Sequence, residues 1–242
     1  MGFFNPSSNL GLLMLSLAQL LGHHGCILVQ DAASSTVHVG LLREGQPAIW
    51  HSSPDEAGKA IFQLTETCLW DASIKLSQVR AFAYCAGPGS MLGVRTVAMA
   101  LRTWQALAPR PVFAYLSLPL IAHELAQTSA TRPFAVIADA RRDTWHTVNV
   151  APDGTLGTLQ RTPSAELATG SQTLFQSTAF RAWATAPRAT QPCDYPVPQL
   201  LERHRHAPLF TEAPTPDAFQ HEAPEYKKWS AQVHSAATAN PK

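Results

Sequence analysis

Short apolar runs separated by polar turns occupy the first part of the chain. Cys26–Gln30 is a compact apolar run ending at Asp31, Thr36–Leu42 alternates and is rich in β-branched residues, and Ala48–His51 is a third short run. Connections of a few residues join them, which predicts a three-stranded antiparallel meander. The pattern then changes period. Ala57, Ile61, Leu64 and Cys68 recur at spacings of four, three and four, one face of a helix. Its expected start is Ser53 as cap and Pro54 at the first position, with Asp55 and Glu56 in the first turn. Gln78–Tyr84 reads as a strand, and Val94, Val97, Ala98, Leu101, Trp104 and Leu107 mark a second amphipathic helix stopped by Pro109. A strand at Val112–Tyr115, a helix at Leu118–Gln127 and strands at Phe134–Ala138 and Trp145–Val150 follow. Pro152-Asp153-Gly154 is then a hairpin turn, with Thr155–Leu159 on its far side. Strands alternating with helices in this way predict an α/β chain with mixed sheets.

Pro109 and Pro111 end the second helix and reset the backbone, so a boundary is expected between Ala108 and Leu118. The resulting division is 1–25, an extension with a short apolar helix; 26–110, a first subdomain; 111–230, a less regular second one; and 231–242, a flexible tail. In the extension, Leu10–Leu21 is apolar, with Asn9 placed to cap it and Gly22 to close it. It has no preceding Lys or Arg and only 12 residues, so it fits neither a secretory signal nor a membrane span. Met14 is an alternative first residue. In the second half, Glu166–Ala186 has room for one or two short elements. The run Glu202-Arg-His-Arg-His206 reads as a solvated turn or helix face.

Composition narrows the function classes. Of 242 residues, 45% are hydrophobic and 14% charged, with 18 basic against 17 acidic and a net charge of +1. That balance removes the global electrostatic argument for a protein that grips nucleic acid through many phosphates. Nineteen prolines argue against a helical bundle. Cys26, Cys68, Cys85 and Cys193 are widely spaced with no Cys-x-x-Cys pair, so neither a disulfide framework nor a structural zinc is expected. The compartment expected is the cytoplasm.

The sharpest local feature is Gly87-Pro88-Gly89-Ser90-Met91-Leu92-Gly93-Val94-Arg95, a tight turn between a strand and a helix. Backbone N–H groups at such a helix start suit an anion. The lysine of a phosphate-binding loop is absent, and the spacing is not that of a dinucleotide fingerprint. The second reading is that the glycines let the helix approach the sheet closely. Asp31 and Asp139 each end a strand, where acids line clefts or cap turns through their own backbone. Ser90 lies in no Gly-x-Ser-x-Gly elbow, so no nucleophile is evident.

Three segments in register carry a resemblance: Asp31-Ala-Ala-Ser-Ser after a strand, Gly87-Pro-Gly-Ser-x-x-Gly-x-Arg95 opening a helix, and Asp139-Ala-Arg-Arg142 after another strand. The stretch from Cys26 to Val150 resembles the TsaB (YeaZ) family, with a weaker echo at His221-Glu-Ala-Pro-Glu-Tyr226. The resemblance implies an actin-like, ASKHA-type fold of two ribonuclease-H-like subdomains. It implies a non-catalytic partner of the ligase TsaD in making threonylcarbamoyladenosine on transfer RNA, with the ATPase TsaE joining the complex and TsaC supplying the activated intermediate. It implies no cofactor, no metal and no catalytic residue in this chain, no membrane contact, tRNA contact only through the complex, and a homodimer through the same helices when isolated. Ser90-Met91-Leu92-Gly93 departs from the family's Ser-Phe-Thr-Gly, and Tyr226 is followed by Lys227-Lys228 rather than Leu-Arg.

On the second helix, Met99, Ala100 and Thr103 lie off the inward stripe, and Met91 and Leu92 stand near its start. An apolar flank of this kind marks a protein contact. By resemblance the contact is the ligase. The competing readings are an ASKHA-type ATP-binding enzyme, phosphotransferase or peptidase-like; a nucleic-acid-binding module, disfavoured by the absence of a basic, aromatic-laced stripe; and a structural paralogue detached from the pathway.

Overall fold

The computed structural model describes residues 14–128 and 132–221. The Tyr226 echo, the 231–242 tail and the first part of the expected N-terminal helix lie outside them. Among the described residues, eleven strands form two mixed sheets. The first contains β1 (Cys26–Asp31), β2 (Val37–Arg43), β3 (Ile49–Ser53), β4 (Ala81–Cys85), β5 (Val112–Tyr115) and β11 (Thr211–Glu212), in the order β11-β5-β4-β1-β2-β3. The second contains β6 (Phe134–Asp139), β7 (Thr144–Val150), β8 (Gln160–Pro163), β9 (Thr173–Ser177) and β10 (Thr190–Cys193), in the order β10-β9-β6-β7-β8.

Apart from β11, the sheets are two copies of one plan. In each, the first three strands form an antiparallel meander, and the fourth and fifth run parallel on the other side of the first strand. The repeat is structural and has no fixed period in the sequence. The helices break its symmetry. The first half carries α2 (Ala57–Asp71) after its third strand and α3 (Met91–Leu107) between its fourth and fifth. The second has short α5 (Ser164–Thr169) after its third strand and no helix between β9 and β10.

Several expected boundaries move. β5 pairs with β4 in the first sheet, and α4 (Ser117–Thr128) then leads from Tyr115 to the second. Helix α1 spans Leu17–His24. Ser16 caps it through a reciprocal capping box with Gln19, and Gly25, not Gly22, closes it at φ 70°. Helix α2 starts at Ala57, since Ser53 belongs to β3 and its hydroxyl accepts from the Asp55 N–H instead of capping a helix. The partner of β7 is β8, further along than Thr155–Leu159, because residues 151–159 form a longer loop with only a bridge at Leu156.

The two halves share a continuous core. After α6 (Val197–Arg203) the chain returns to the first sheet: β11 pairs antiparallel with β5, and buried Phe210 packs its ring 5.4 Å from that of Tyr115. Beyond it the backbone runs over α3. Arg102 donates through Nε to the Pro216 carbonyl at 2.6 Å and pairs with Asp217 at 3.0 Å, while the Tyr84 hydroxyl donates to the Asp217 carbonyl at 2.8 Å. Along 202–206, Glu202, Arg203 and His206 are solvated as expected, and His204 is the exception. His204 is buried against α4, its Nε2–H donating to Glu124 at 2.7 Å, and Arg203 pairs with the same carboxylate. Burial, with the neighbouring Arg203 charge, pushes the His204 pKa down.

Candidate functional site

The glycine turn and the Asp31 turn meet face to face. Ser90 caps α3, its hydroxyl accepting from the Gly93 N–H at 3.2 Å, and its own N–H donates to the Ala33 carbonyl at 2.7 Å. A Cβ on Gly89 would stand 2.2 Å from the Ala33 oxygen, and one on Gly93 2.1 Å from the Ala32 oxygen. Backbone occupies both places, so only glycine fits. Ser117 locks the other side of the turn, donating through its hydroxyl to Pro88 at 2.5 Å and through its N–H to Gly87 at 3.0 Å. The close-approach reading of the glycines is the one the geometry supports. At the helix start the Ser90, Gly93 and Val94 N–H groups donate within the chain.

Asp31 is fully buried beside this contact. Its Oδ1 accepts from the Ala33 N–H at 2.8 Å, and its Oδ2 accepts from the hydroxyls of Tyr115 and Tyr195, each at 2.6 Å. Tyr115 comes from the end of β5 and Tyr195 from the β10–α6 connection, so strands of both sheets feed one carboxylate. Burial, then the negative charge of Asp31, push both tyrosine pKa values well above their ordinary range, so both remain donors. Cys85 is buried beside them and its thiol is pushed up by burial and by Asp31.

Asp139 is the equivalent residue of the second sheet and is half-exposed. Its Oδ1 accepts from the Arg141 N–H at 2.6 Å, and its Oδ2 accepts from the N–H groups of Trp183 and Ala184 at 2.6 and 3.0 Å. Burial pushes its pKa up, but these three donors and the Arg141 charge outweigh that and hold it below the usual range. Asp31 and Asp139 share no hydrogen-bond partner. Each organises its own turn.

The expected partner surface is exposed in the main. On α3, Leu92 is 79% exposed, Met91 and Met99 are about half exposed, and Thr103 and Arg95 also face solvent. Ala100 is a correction: it is 5% exposed and packs inward, because it follows Val97 by three residues and shares the buried stripe. Leu107, expected on that stripe, instead projects into solvent at the helix end. The sequence reading missed Phe62 and Trp70 on α2, exposed at 49% and 82%, with Phe62 edge-on to Trp104 of α3 at 6.1 Å. A groove of about 490 Å³ between the starts of α2 and α3 lies over the Asp31 turn, lined by Ser34, Ser35, Ala57, Ser90, Leu92 and Thr96 among others.

Among the described residues, no cluster of metal-ligating side chains occurs and no helix is long and apolar enough to cross a membrane. All four cysteines are free, and burial raises the thiol pKa values of Cys68 to about 11 and Cys193 to about 12.

Two sheets of one plan, each with an aspartate ending its first strand, define an actin-like, ASKHA-type α/β fold. A family model described as TsaD, tRNA N6-adenosine threonylcarbamoyltransferase, matches residues 55–157. Among solved structures, YeaZ from Pseudomonas aeruginosa is 25% identical with a TM-score of 0.51, over 64% of this chain and 76% of that one. A protein described as similar to peptidase YeaZ from Pseudomonas aeruginosa is 22% identical with a TM-score of 0.54, over 74% of this chain and 89% of that one. Within its class the chain is thus similar, at a divergent level, to the TsaB/YeaZ proteins. No curated protein matches it in sequence.

Proposed function

We propose that this chain acts in threonylcarbamoyladenosine modification of tRNA as a non-catalytic cytoplasmic partner, docking a TsaD-like ligase on the face made by α2 and α3. The observation that carries the reading is the set of exposed apolar side chains, Phe62 and Trp70 on α2 with Met91, Leu92 and Met99 on α3, on helices packed against each other. A soluble surface keeps such a set when a partner covers it. The non-catalytic part is supported by Asp31, whose carboxylate already accepts three hydrogen bonds, and by the glycine turn, closed by the Ala32 and Ala33 carbonyls. A TsaE-like ATPase joins the same complex in this reading, and the isolated chain pairs with itself through the same helices.

Co-purification with the TsaD-like ligase of the same organism tests the docking. Met99→Glu and Leu92→Glu are expected to abolish it while leaving the melting temperature within a few degrees of wild type, since a charge is costly at a dry interface and free in water. A wild-type chain that does not retain the ligase refutes the reading. Normal binding by both variants places the contact elsewhere. The purified chain is also expected to release no phosphate from ATP.

A further inference from the structure

We infer that the turn after β6, together with the β9–β10 connection, forms an RNA-binding site of this chain, recognising a phosphodiester and an unpaired base through Arg141, Arg181 and Trp183. The inference rests on the proposed role in tRNA modification and adds a direct RNA contact to it.

Three features of the site converge. The first is its backbone. Arg141, Arg142 and Asp143 lie in succession at φ 64°, 48° and 58°, left-handed conformations that non-glycine residues seldom adopt and still less often consecutively. Asp139 imposes them. Its Oδ1 accepts from the Arg141 N–H, while the Arg141 carbonyl accepts from both the N–H and the hydroxyl of Thr144 at 3.1 and 2.7 Å. The result presents Arg141 and Arg142 outward at the tip of a fixed turn, both exposed.

The second feature is the aromatic ring. The Asp139 Oδ2 captures the Trp183 and Ala184 N–H groups, bringing a segment some 40 residues away onto the same turn. Trp183 remains 60% exposed, with the Arg181 guanidinium 3.8 Å and the Arg141 guanidinium 5.0 Å from its ring centroid. A guanidinium lying on an indole is held in place with its N–H edge free to donate to phosphate oxygens, and its outer plane offers a surface on which a base stacks.

The third is charge. Arg161, on β8, adds a fourth exposed guanidinium, held by the Thr144 hydroxyl at 2.9 Å. Of the acids at the turn, Asp139 spends both oxygens on backbone donors and Asp143 is the other. A net charge of +1 over the whole chain therefore conceals a local basic patch. The first half of the fold supplies the contrast. There, the connection after the fourth strand closes on the turn with glycine backbone and leaves no side chain in the gap; here it arrives carrying arginine and tryptophan.

The test is fluorescence anisotropy of an unmodified tRNA transcript, titrated at low salt with the full chain alone and with its complex with the TsaD-like ligase. Wild type is expected to bind in both forms. The double variant Arg141→Glu/Arg181→Glu is expected to weaken binding at least tenfold and to lower the slope of log K against log salt by about 1.4, two contacts to single-stranded phosphate. Trp183→Ala should weaken it several-fold with the salt slope unchanged, which separates stacking from charge and covers the case of a double variant that fails to fold. Retention of the ligase should be unaffected, since the site belongs to the second sheet and not to α2 or α3. Unchanged tRNA affinity in these variants overturns the inference, as does a wild-type chain that binds anionic phosphatidylglycerol vesicles but not the transcript. A wild-type chain that binds the transcript but not the ligase refutes the docking role and leaves the RNA site standing.

Discussion

Asp31 and Asp139 are the same position of the fold used twice. Each ends the first strand of its sheet, and each accepts through Oδ1 the N–H of the residue two places on, Ala33 at 2.8 Å and Arg141 at 2.6 Å. The difference lies in what reaches Oδ2. Two tyrosine hydroxyls seal Asp31 into the core, while two backbone N–H groups leave Asp139 at the surface.

Removing one of those hydroxyls should be costly but tolerable. Tyr195→Phe and Tyr115→Phe are each expected to lose about 1.5–3 kcal/mol, the range for a hydrogen bond to a charged group. Asp31→Ala should lose about 3 kcal/mol or more, because it strands two buried phenol donors and the Ala33 N–H together. Urea denaturation followed by circular dichroism measures all three. Equal losses for Asp31→Ala and Tyr195→Phe would contradict the shared-carboxylate geometry.

The closed glycine turn makes a sharper demand. Gly93→Ala and Gly89→Ala place a methyl about 2 Å from a carbonyl oxygen of the Asp31 turn, where the neighbour is backbone and cannot rotate away. Overpacking of this kind costs about 1–3 kcal/mol, occasionally more. Gly45→Ala, where nothing lies within 4 Å of the added carbon, carries only the strain of φ 68° and should cost less. Melting temperatures of the three variants should keep that order.

Acid should destabilise the fold through His146. Burial, then the charges of His221 and Arg161, push its pKa down to about 3, with Asp139 opposing, and its ring stacks on His221 at 5.0 Å. A histidine titrates near 6.5 when unfolded. Between those values the unfolded chain takes up a proton that the folded chain refuses, so stability is whole above about pH 6.5 and falls by up to roughly 1.4 kcal/mol per pH unit below it. His146→Gln should flatten the dependence of melting temperature on pH between 6.5 and 4. An unchanged slope would place the acid sensitivity elsewhere, His204 being the next group to examine.

Much of the first half was legible because its signals are local. The α2 and α3 stripes and the glycine turn each declare themselves within fifteen or so residues, and the meander within about thirty. The errors arise where a distant partner decides. Ser53 carries every mark of a cap but is taken by β3. His204, amid arginines, reads as solvated until α4 supplies Glu124. Ala100 is small enough to read as surface and is buried. The basic aromatic site was invisible for the same reason. Arg141 and Arg142 lie some forty residues from Arg181 and Trp183, and the Asp139 carboxylate and the Arg141–Trp183 contact join them only in the fold. Tyr195 showed no signal at all, since a lone tyrosine in a proline-rich stretch points to nothing until the Asp31 carboxylate is seen beneath it.

The return of β11 to the first sheet bears on how the chain is made. Emerging from the ribosome in order, residues up to Tyr115 can assemble five strands, but β5 keeps a bare outer edge until Thr211 and Glu212 arrive nearly a hundred residues later. For that interval the nascent chain exposes an unpaired strand beside the gap that Phe210 will fill, and the Asp31 carboxylate has Tyr115 but not Tyr195. Folding of the first half is therefore finished by the end of the second, and a translation product stopped anywhere before residue 212 is a substrate for chaperones and proteases rather than a smaller working protein.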